Sequence, residues 1–119
     1  MPLKTRNYRK PITASVRKEV FDKFGGRCAY CGCELGERFH VDHIQAVYHK
    51  GLNMIDNLNP ACRRCNLRKA AFGVEELRNH IADRTKMLTR YSADFRLAND
   101  FGLLAETGKS VVFYFEEED

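Results

Sequence analysis

The sequence predicts a small α+β fold that is stapled by a metal ion, with flanking helices and a C-terminal strand. Two cysteine pairs carry most of this prediction, Cys28-x-x-Cys31 and Cys62-x-x-Cys65. One Cys-x-x-Cys pair can hold two corners of a tetrahedral zinc site, so two pairs complete it. Helix-like and strand-like apolar patterns surround the pairs, which favours a mixed class.

Length and composition limit the number of domains and indicate the cellular compartment. The chain has 119 residues, 44% of them apolar, which is enough for one compact domain and too few for two. Small domains bury a limited fraction of their surface and often need a staple such as zinc. We see no secretion signal and no apolar run of the roughly 18 residues that a membrane span requires. A reducing, cytoplasmic setting is therefore expected, where paired cysteines bind metal rather than form disulfides.

The fifth cysteine, Cys33, allows two interpretations. It is either a bystander thiol beside the first pair or a replacement for Cys31 as a ligand, with looser spacing.

Charge is distributed unevenly along the chain. Residues 1–90 contain 18 Lys and Arg against 9 Asp and Glu, whereas residues 91–119 contain 2 against 7. The first three quarters of the chain therefore suit a polyanionic partner such as a nucleic acid, and the C-terminal part does not. Residues 1–12 read as a basic N-terminal arm, which is either a frayed terminus or a phosphate contact.

The first half of the chain predicts one helix and one or two strands. Residues 13–24 have helical spacing of apolar side chains, with Thr13 or Ser15 as the cap and Gly25-Gly26 at the end. Gly32 permits the turn of a zinc knuckle. Residues 38–44 read as a short strand, and residues 46–48 are the best candidate for a second one.

The second half predicts three helices and a final strand. Asn59-Pro60 reads as a cap and first helical residue, which gives a helix to about residue 72. Residues 74–90 have a helical apolar face that includes Leu88, and residues 92–104 follow with Ser92 as cap. Residues 111–115 have strand character, and we expect Val112, Phe113 and Phe115 to pack in the core.

Between the cysteine pairs lies the chemistry that hydrolysis of a phosphodiester needs. A water must lose a proton as it attacks, and histidine is the natural base near neutral pH. A hard cation such as Mg²⁺ prefers carboxylate and amide oxygens. Asp42 and His43 are adjacent, and Asn66 directly follows the last cysteine of the second pair.

These elements together resemble a known family. The matching pattern is Cys28-x-x-Cys31, Val41-Asp42-His43-Ile44, Asp56-Asn57-Leu58 and Ala61-Cys62-x-x-Cys65-Asn66-x-x-Lys69. In this order they resemble the zinc-containing HNH endonucleases, which carry a ββα-metal motif, and their phage-type members in particular.

The resemblance implies a role for each matched residue. His43 would be the general base, and Asp42 and Asn66 would be ligands of a catalytic Mg²⁺ or Mn²⁺. Asn57 would brace the loop and orient the base, so that His43, Asn57 and Asn66 form the catalytic set. Many members have His where this chain has Asn66, which leaves the metal preference open. The four cysteines would hold a structural Zn²⁺.

The resemblance covers residues 13 to about 80. We expect a nuclease domain at residues 13–91 and an extension at residues 92–119 that packs on it. DNA would be the substrate, in a bacterial host or from a phage. The basic side chains near the second pair would contact phosphates, or remain solvated: Arg63, Arg64, Arg68 and Lys69.

Three functions remain as hypotheses. The first is a metal-dependent DNA endonuclease, a hydrolase that nicks or cuts both strands. The second is a non-catalytic zinc-stabilised module that binds nucleic acid. The third is a component of a phage DNA-processing or packaging assembly, with residues after 91 as the docking element. A homodimer is compatible with the first, because one metal site cuts one strand.

Overall fold

A computed structural model of the chain describes residues 12–45 and 53–117. The predicted basic arm up to residue 11 and the candidate strand at 46–48 lie outside these ranges. Within them the elements follow in this order: α1 Ala14–Asp22, β1 His40–His43, β2 Leu58–Ala61, α2 Arg63–Lys69, α3 Val74–Tyr91 and α4 Ala93–Asp100. None of the described helices is long and apolar enough to cross a membrane.

The predicted first helix is confirmed. Thr13 caps α1, because its side-chain oxygen accepts a 3.2 Å hydrogen bond from the Val16 N–H. Gly25 and Gly26 follow the helix with φ of +61° and +81°, a left-handed conformation that favours glycine. Val20 is fully buried in a cluster with Phe39 and Leu58, which packs α1 against the two strands.

The two strands form an antiparallel pair with His40 opposite Ala61 and His43 opposite Leu58. The predicted strand at 38–44 is therefore confirmed in its centre. All four residues of β2 are buried, which makes this hairpin the centre of the domain.

The predicted helix start at Asn59-Pro60 is wrong, because both residues lie in β2. Proline is tolerated there since a two-stranded sheet has only edge strands, and the Pro60 carbonyl accepts a 2.8 Å hydrogen bond from the Ala29 N–H. Helix α2 begins later, with Cys62 as its N-cap. Burial of the strand against α1 and the knuckle outweighs the local preference of an Asn-Pro pair for a helix end.

Two later helices agree with the sequence more closely. Helix α3 is anchored by Leu77, which is 1% exposed, whereas Leu88 on the same predicted face is 45% exposed. Ser92 caps α4 by accepting a 3.1 Å hydrogen bond from the Phe95 N–H. The helix ends at Asp100, four residues before the predicted end.

The predicted C-terminal strand is not formed. Residues 114–116 make a 3-10 turn, and the N–H groups of Tyr114 and Phe115 donate to the carbonyls of Tyr30 and Ala29 at 2.9 and 2.8 Å. A strand would pair alternate residues rather than two consecutive ones. Phe113 is buried and Phe115 packs against the same cluster, as expected, but Val112 is 57% exposed.

Candidate functional site

The four paired cysteines converge on one point. Their sulfur atoms all lie within 4.8 Å of one another, and Sγ of Cys31 is 3.9 Å from Sγ of Cys62. A tetrahedral zinc ion with Zn–S bonds of about 2.3 Å requires sulfur–sulfur separations of about 3.8 Å. The set therefore fits zinc. Cys33 is not one of the four, although its thiol interacts with Cys31 and Cys62 and its backbone carbonyl accepts a 2.8 Å hydrogen bond from the Cys28 N–H.

Backbone and side-chain donors prepare the sulfurs for a cation. The Cys62 N–H donates to the Cys28 sulfur and the Cys65 N–H donates to the Cys62 sulfur, both at 3.4 Å. The hydrogen bond between Cys65 and Cys28 lowers the pKa of Cys28 and raises the pKa of Cys65. Four sulfur ligands close the shell and leave no position for a reacting water, so a metal here stabilises the fold.

His43 is the last residue of β1, and its ring is held by a neighbour that the sequence did not single out. The Nε2 atom lies 2.5 Å from Oδ1 of Asn53. An amide oxygen only accepts, so Nε2 is the donor in this contact, and in the neutral ring the lone pair is then on Nδ1. The sequence prediction missed Asn53 as a partner, because this contact joins residues ten positions apart that no motif links.

Asn57 braces the backbone that follows His43. Its Oδ1 accepts a 2.8 Å hydrogen bond from the Gln45 N–H, and its Nδ2 donates to the Gln45 carbonyl at 3.0 Å. The Asn57 carbonyl also accepts from the Ile44 N–H at 2.8 Å. This side chain therefore fixes both ends of the Gln45 backbone, two residues beyond the histidine.

The Asp42 side chain points away from the solvent, into a small polar cluster. It is 4% exposed, and its Oδ2 accepts a 2.5 Å hydrogen bond from the Tyr30 hydroxyl. The same oxygen lies 3.2 Å from Nζ of Lys69. Burial raises the pKa of Asp42, and the hydrogen bond from Tyr30 and the charge of Lys69 oppose that rise. Burial likewise raises the pKa of Tyr30, with the Asp42 charge adding to the rise.

Lys69 corrects a sequence prediction. It was expected to contact DNA, but it is fully buried and its ammonium group is used internally. Besides the ion pair with Asp42, Nζ donates a 2.7 Å hydrogen bond to the His43 carbonyl. The reason is the packing of α2 on β1, which turns the Lys69 face of the helix inward.

The remaining predicted residues of α2 lie around this buried lysine. Asn66 is half-buried and precedes Lys69 by one helical turn, so both side chains share one face. Arg63, Arg64 and Arg68 are exposed. In the described part of the chain, none of these three arginines has an ion pair. They are open to an anionic ligand.

A second lysine, Lys23, supports the other strand and was not predicted. Its Nζ donates to the carbonyls of Leu58 and Ile55 at 2.6 and 2.9 Å and to Oδ1 of Asn59 at 3.1 Å. Asn59 is 1% exposed and faces Asp42 across the hairpin. Asn59 is thus a buried strand residue rather than a helix cap, and the Lys23 contact fixes the backbone on both sides of Asn57.

Comparison with known proteins agrees with this geometry. Residues 28–72 match the model of a family described as HNH endonuclease. The match covers both cysteine pairs and the strands and helix between and after them.

A relative in Bacillus subtilis (strain 168) matches over a longer stretch. It is provisionally described as the SPbeta prophage-derived HNH endonuclease YoqL, and it is 32% identical over 97 residues. The match covers 65% of this chain, and the chain spans 41% of the relative's length. No solved structure matches the chain significantly.

Proposed function

We propose, from the premise that residues 28–72 form an HNH endonuclease domain, that this protein is a metal-dependent DNA endonuclease that hydrolyses phosphodiester bonds. The observation that carries the proposal is the fixed position of His43. Its ring is held by Asn53, its carbonyl by Lys69, and the backbone after it by Asn57. These three contacts fix the orientation of the His43 ring and backbone, as a general base requires.

In the proposed reaction His43 is the general base. With the proton on Nε2, the free lone pair of Nδ1 can accept a proton from water while the water oxygen bonds to phosphorus. The bond from phosphorus to the leaving oxygen breaks in the same step, so one water is consumed for each bond cut. Asn53 acts on this step by fixing the tautomer and the ring plane.

Asp42 and Asn66 are the proposed ligands of a catalytic Mg²⁺ or Mn²⁺. A carboxylate and an amide carbonyl are the oxygen donors that such hard cations prefer. Tyr30 and Lys69 both contact Oδ2 of Asp42, so we assign Oδ1 to the cation. When bound, the cation supplies stabilisation of the charge that develops on the phosphate and leaving oxygens.

Exposed arginines on α2 are the proposed DNA contacts, namely Arg63, Arg64 and Arg68. Their open guanidinium groups suit phosphates, which carry no sequence information. We therefore propose weak sequence preference and a salt-dependent affinity. Lys69 is removed from this set by its burial.

The domain boundaries are also part of the proposal. We take residues 13–91 as the nuclease domain and residues 92–119 as an extension that packs on it. Contacts of Phe113 and Phe115 with Tyr30, at ring distances of 5.4 and 5.8 Å, support the packing of the extension on the domain.

Plasmid nicking in Mg²⁺ or Mn²⁺ tests the proposal. The parent should relax supercoiled DNA, and His43→Ala should lose about 10² to 10⁴ of the rate. His80→Ala is the matched control, since His80 lies in α3 against Phe72, with ring centroids 5.4 Å apart. If the zinc-loaded parent and His43→Ala both bind DNA and both leave it intact, the chain is a binding module or part of a larger DNA-processing assembly.

A further inference from the structure

Lys69 has a burial that is rare for its residue type. The side chain has no exposed surface, and lysines are almost never fully buried unless they are paired. The partner is Asp42, whose Oδ2 lies 3.2 Å from Nζ. A buried charge without a partner is costly, so the contacts of the ammonium group must account for the burial of Lys69.

The ammonium group joins two successive residues of β1. It contacts the side chain of Asp42 and donates to the main-chain carbonyl of His43 at 2.7 Å. Successive side chains of a strand point to opposite faces, so Asp42 and His43 diverge at this step. One donor that holds the Asp42 carboxylate and the His43 carbonyl fixes the Asp42 side chain relative to the His43 main chain, and Asn53 holds the His43 ring.

Charge is the second consequence of this contact. A positive group beside Asp42 reduces the negative charge that the carboxylate presents to a divalent cation. Lys69 therefore opposes cation binding electrostatically while it keeps the carboxylate oriented. The Tyr30 hydroxyl, 2.5 Å from the same Oδ2, supports the orientation without adding charge.

We propose that Lys69 is a positioning residue of the cleavage site, which fixes Asp42 relative to His43 at the expense of cation affinity. This inference rests on the proposed endonuclease function. In this role Lys69 positions Asp42, and it neither contacts DNA nor merely fills space in the core.

The test compares zinc-loaded parent protein with Lys69→Met, using Lys86→Met as the control because Lys86 is an exposed lysine of α3. Mn²⁺ binding is measured without DNA by electron paramagnetic resonance at pH 8.5. Lys69→Met should bind Mn²⁺ about tenfold more tightly, because a like charge near the cation is removed. Its single-turnover nicking rate at saturating Mn²⁺ should nevertheless fall about tenfold, because orientation is lost.

Zinc content and thermal unfolding separate this role from a purely structural one. Lys69→Met with full zinc, tighter Mn²⁺ binding and slower cleavage supports the proposal. Unchanged Mn²⁺ affinity, or slower cleavage that merely follows loss of zinc, overturns it. If the parent does not cleave DNA, the endonuclease assignment fails, while the Mn²⁺ measurement still decides whether Lys69 opposes a cation at Asp42.

A second variant covers the case in which Lys69→Met does not fold. Asp42→Asn combined with Lys69→Met removes both charges, so it should recover the zinc content and thermal midpoint that the single variant loses. If the double variant does not recover zinc content and thermal midpoint, the ion pair with Asp42 is not the reason why Lys69 is needed, and the proposal is overturned.

Discussion

The hydroxyl of Tyr30 donates a 2.5 Å hydrogen bond to Oδ2 of Asp42. Tyr30 lies between the cysteines of the first pair, and Asp42 lies in β1, so this bond joins the cysteine knuckle directly to the candidate cleavage site. The two sites that the sequence presents as separate motifs therefore share a buried polar contact.

Removal of the Tyr30 hydroxyl should destabilise the domain. Tyr30→Phe keeps the ring packing but takes a donor from a buried carboxylate, which costs about 1–3 kcal/mol. Urea unfolding of the zinc-loaded protein measures the free energy of unfolding. Tyr114→Phe is the control, and equal stability of both variants would contradict the importance of the Tyr30 bond.

Loss of a zinc ligand should unfold the centre of the domain. Cys65→Ser removes one of the four converging sulfurs, so bound zinc and the thermal midpoint should both fall sharply. Cys33→Ser should retain zinc, because Cys33 is outside the converging set. Metal analysis and circular dichroism of the two variants check this, and zinc loss in Cys33→Ser would show that the ligand set is different.

Asn53→Ala should slow nicking without loss of zinc. The variant frees the His43 ring from its 2.5 Å contact, so the tautomer and ring plane are no longer fixed. We expect a loss of about tenfold to a hundredfold, as for other partners that orient a reacting group. The exposed Asn99 in α4 provides the control as Asn99→Ala. An Asn53→Ala rate equal to the control would remove Asn53 from the site.

Arg78 should control the attachment of the C-terminal segment. Its guanidinium donates to the Val111 carbonyl at 2.5 Å, pairs with Glu116 and lies 4.9 Å from the centre of the Phe113 ring. Arg78→Met should therefore increase amide hydrogen exchange in residues 111–117. Arg84→Met is the control, and equal protection in the two variants would place the attachment in the aromatic contacts alone.

Much of the site could be predicted because its signals are local. Spacing alone predicts the cysteine pairs. Position before an apolar pattern predicts Ser92 as a cap and narrows the first cap to Thr13 or Ser15, of which Thr13 is the one observed. The Asp42-His43 pair was identified in the same way, from its position between the cysteine pairs.

The remaining features depend on contacts between distant residues. Asn59-Pro60 has the local chemistry of a helix start, and only its burial against α1 makes it a strand. Lys69 has the charge of a DNA contact, and only the packing of α2 on β1 turns it inward. The role of Asn53 depends on its contact with His43, which no spacing rule specifies. The fold class is confirmed, but the C-terminal strand failed because Ala29 and Tyr30 offer consecutive acceptors.

Ala29 uses both of its main-chain polar groups in long-range bonds, donating to Pro60 and accepting from Phe115, each at 2.8 Å. The peptide between the cysteines is thus a middle layer with the hairpin beneath it and the C-terminal segment above it. During synthesis on the ribosome, residue 115 emerges after every other part of this stack. The Ala29 and Tyr30 carbonyls therefore gain their partners only after residue 115 has been made, so the four cysteines can come together before the C-terminal segment covers them.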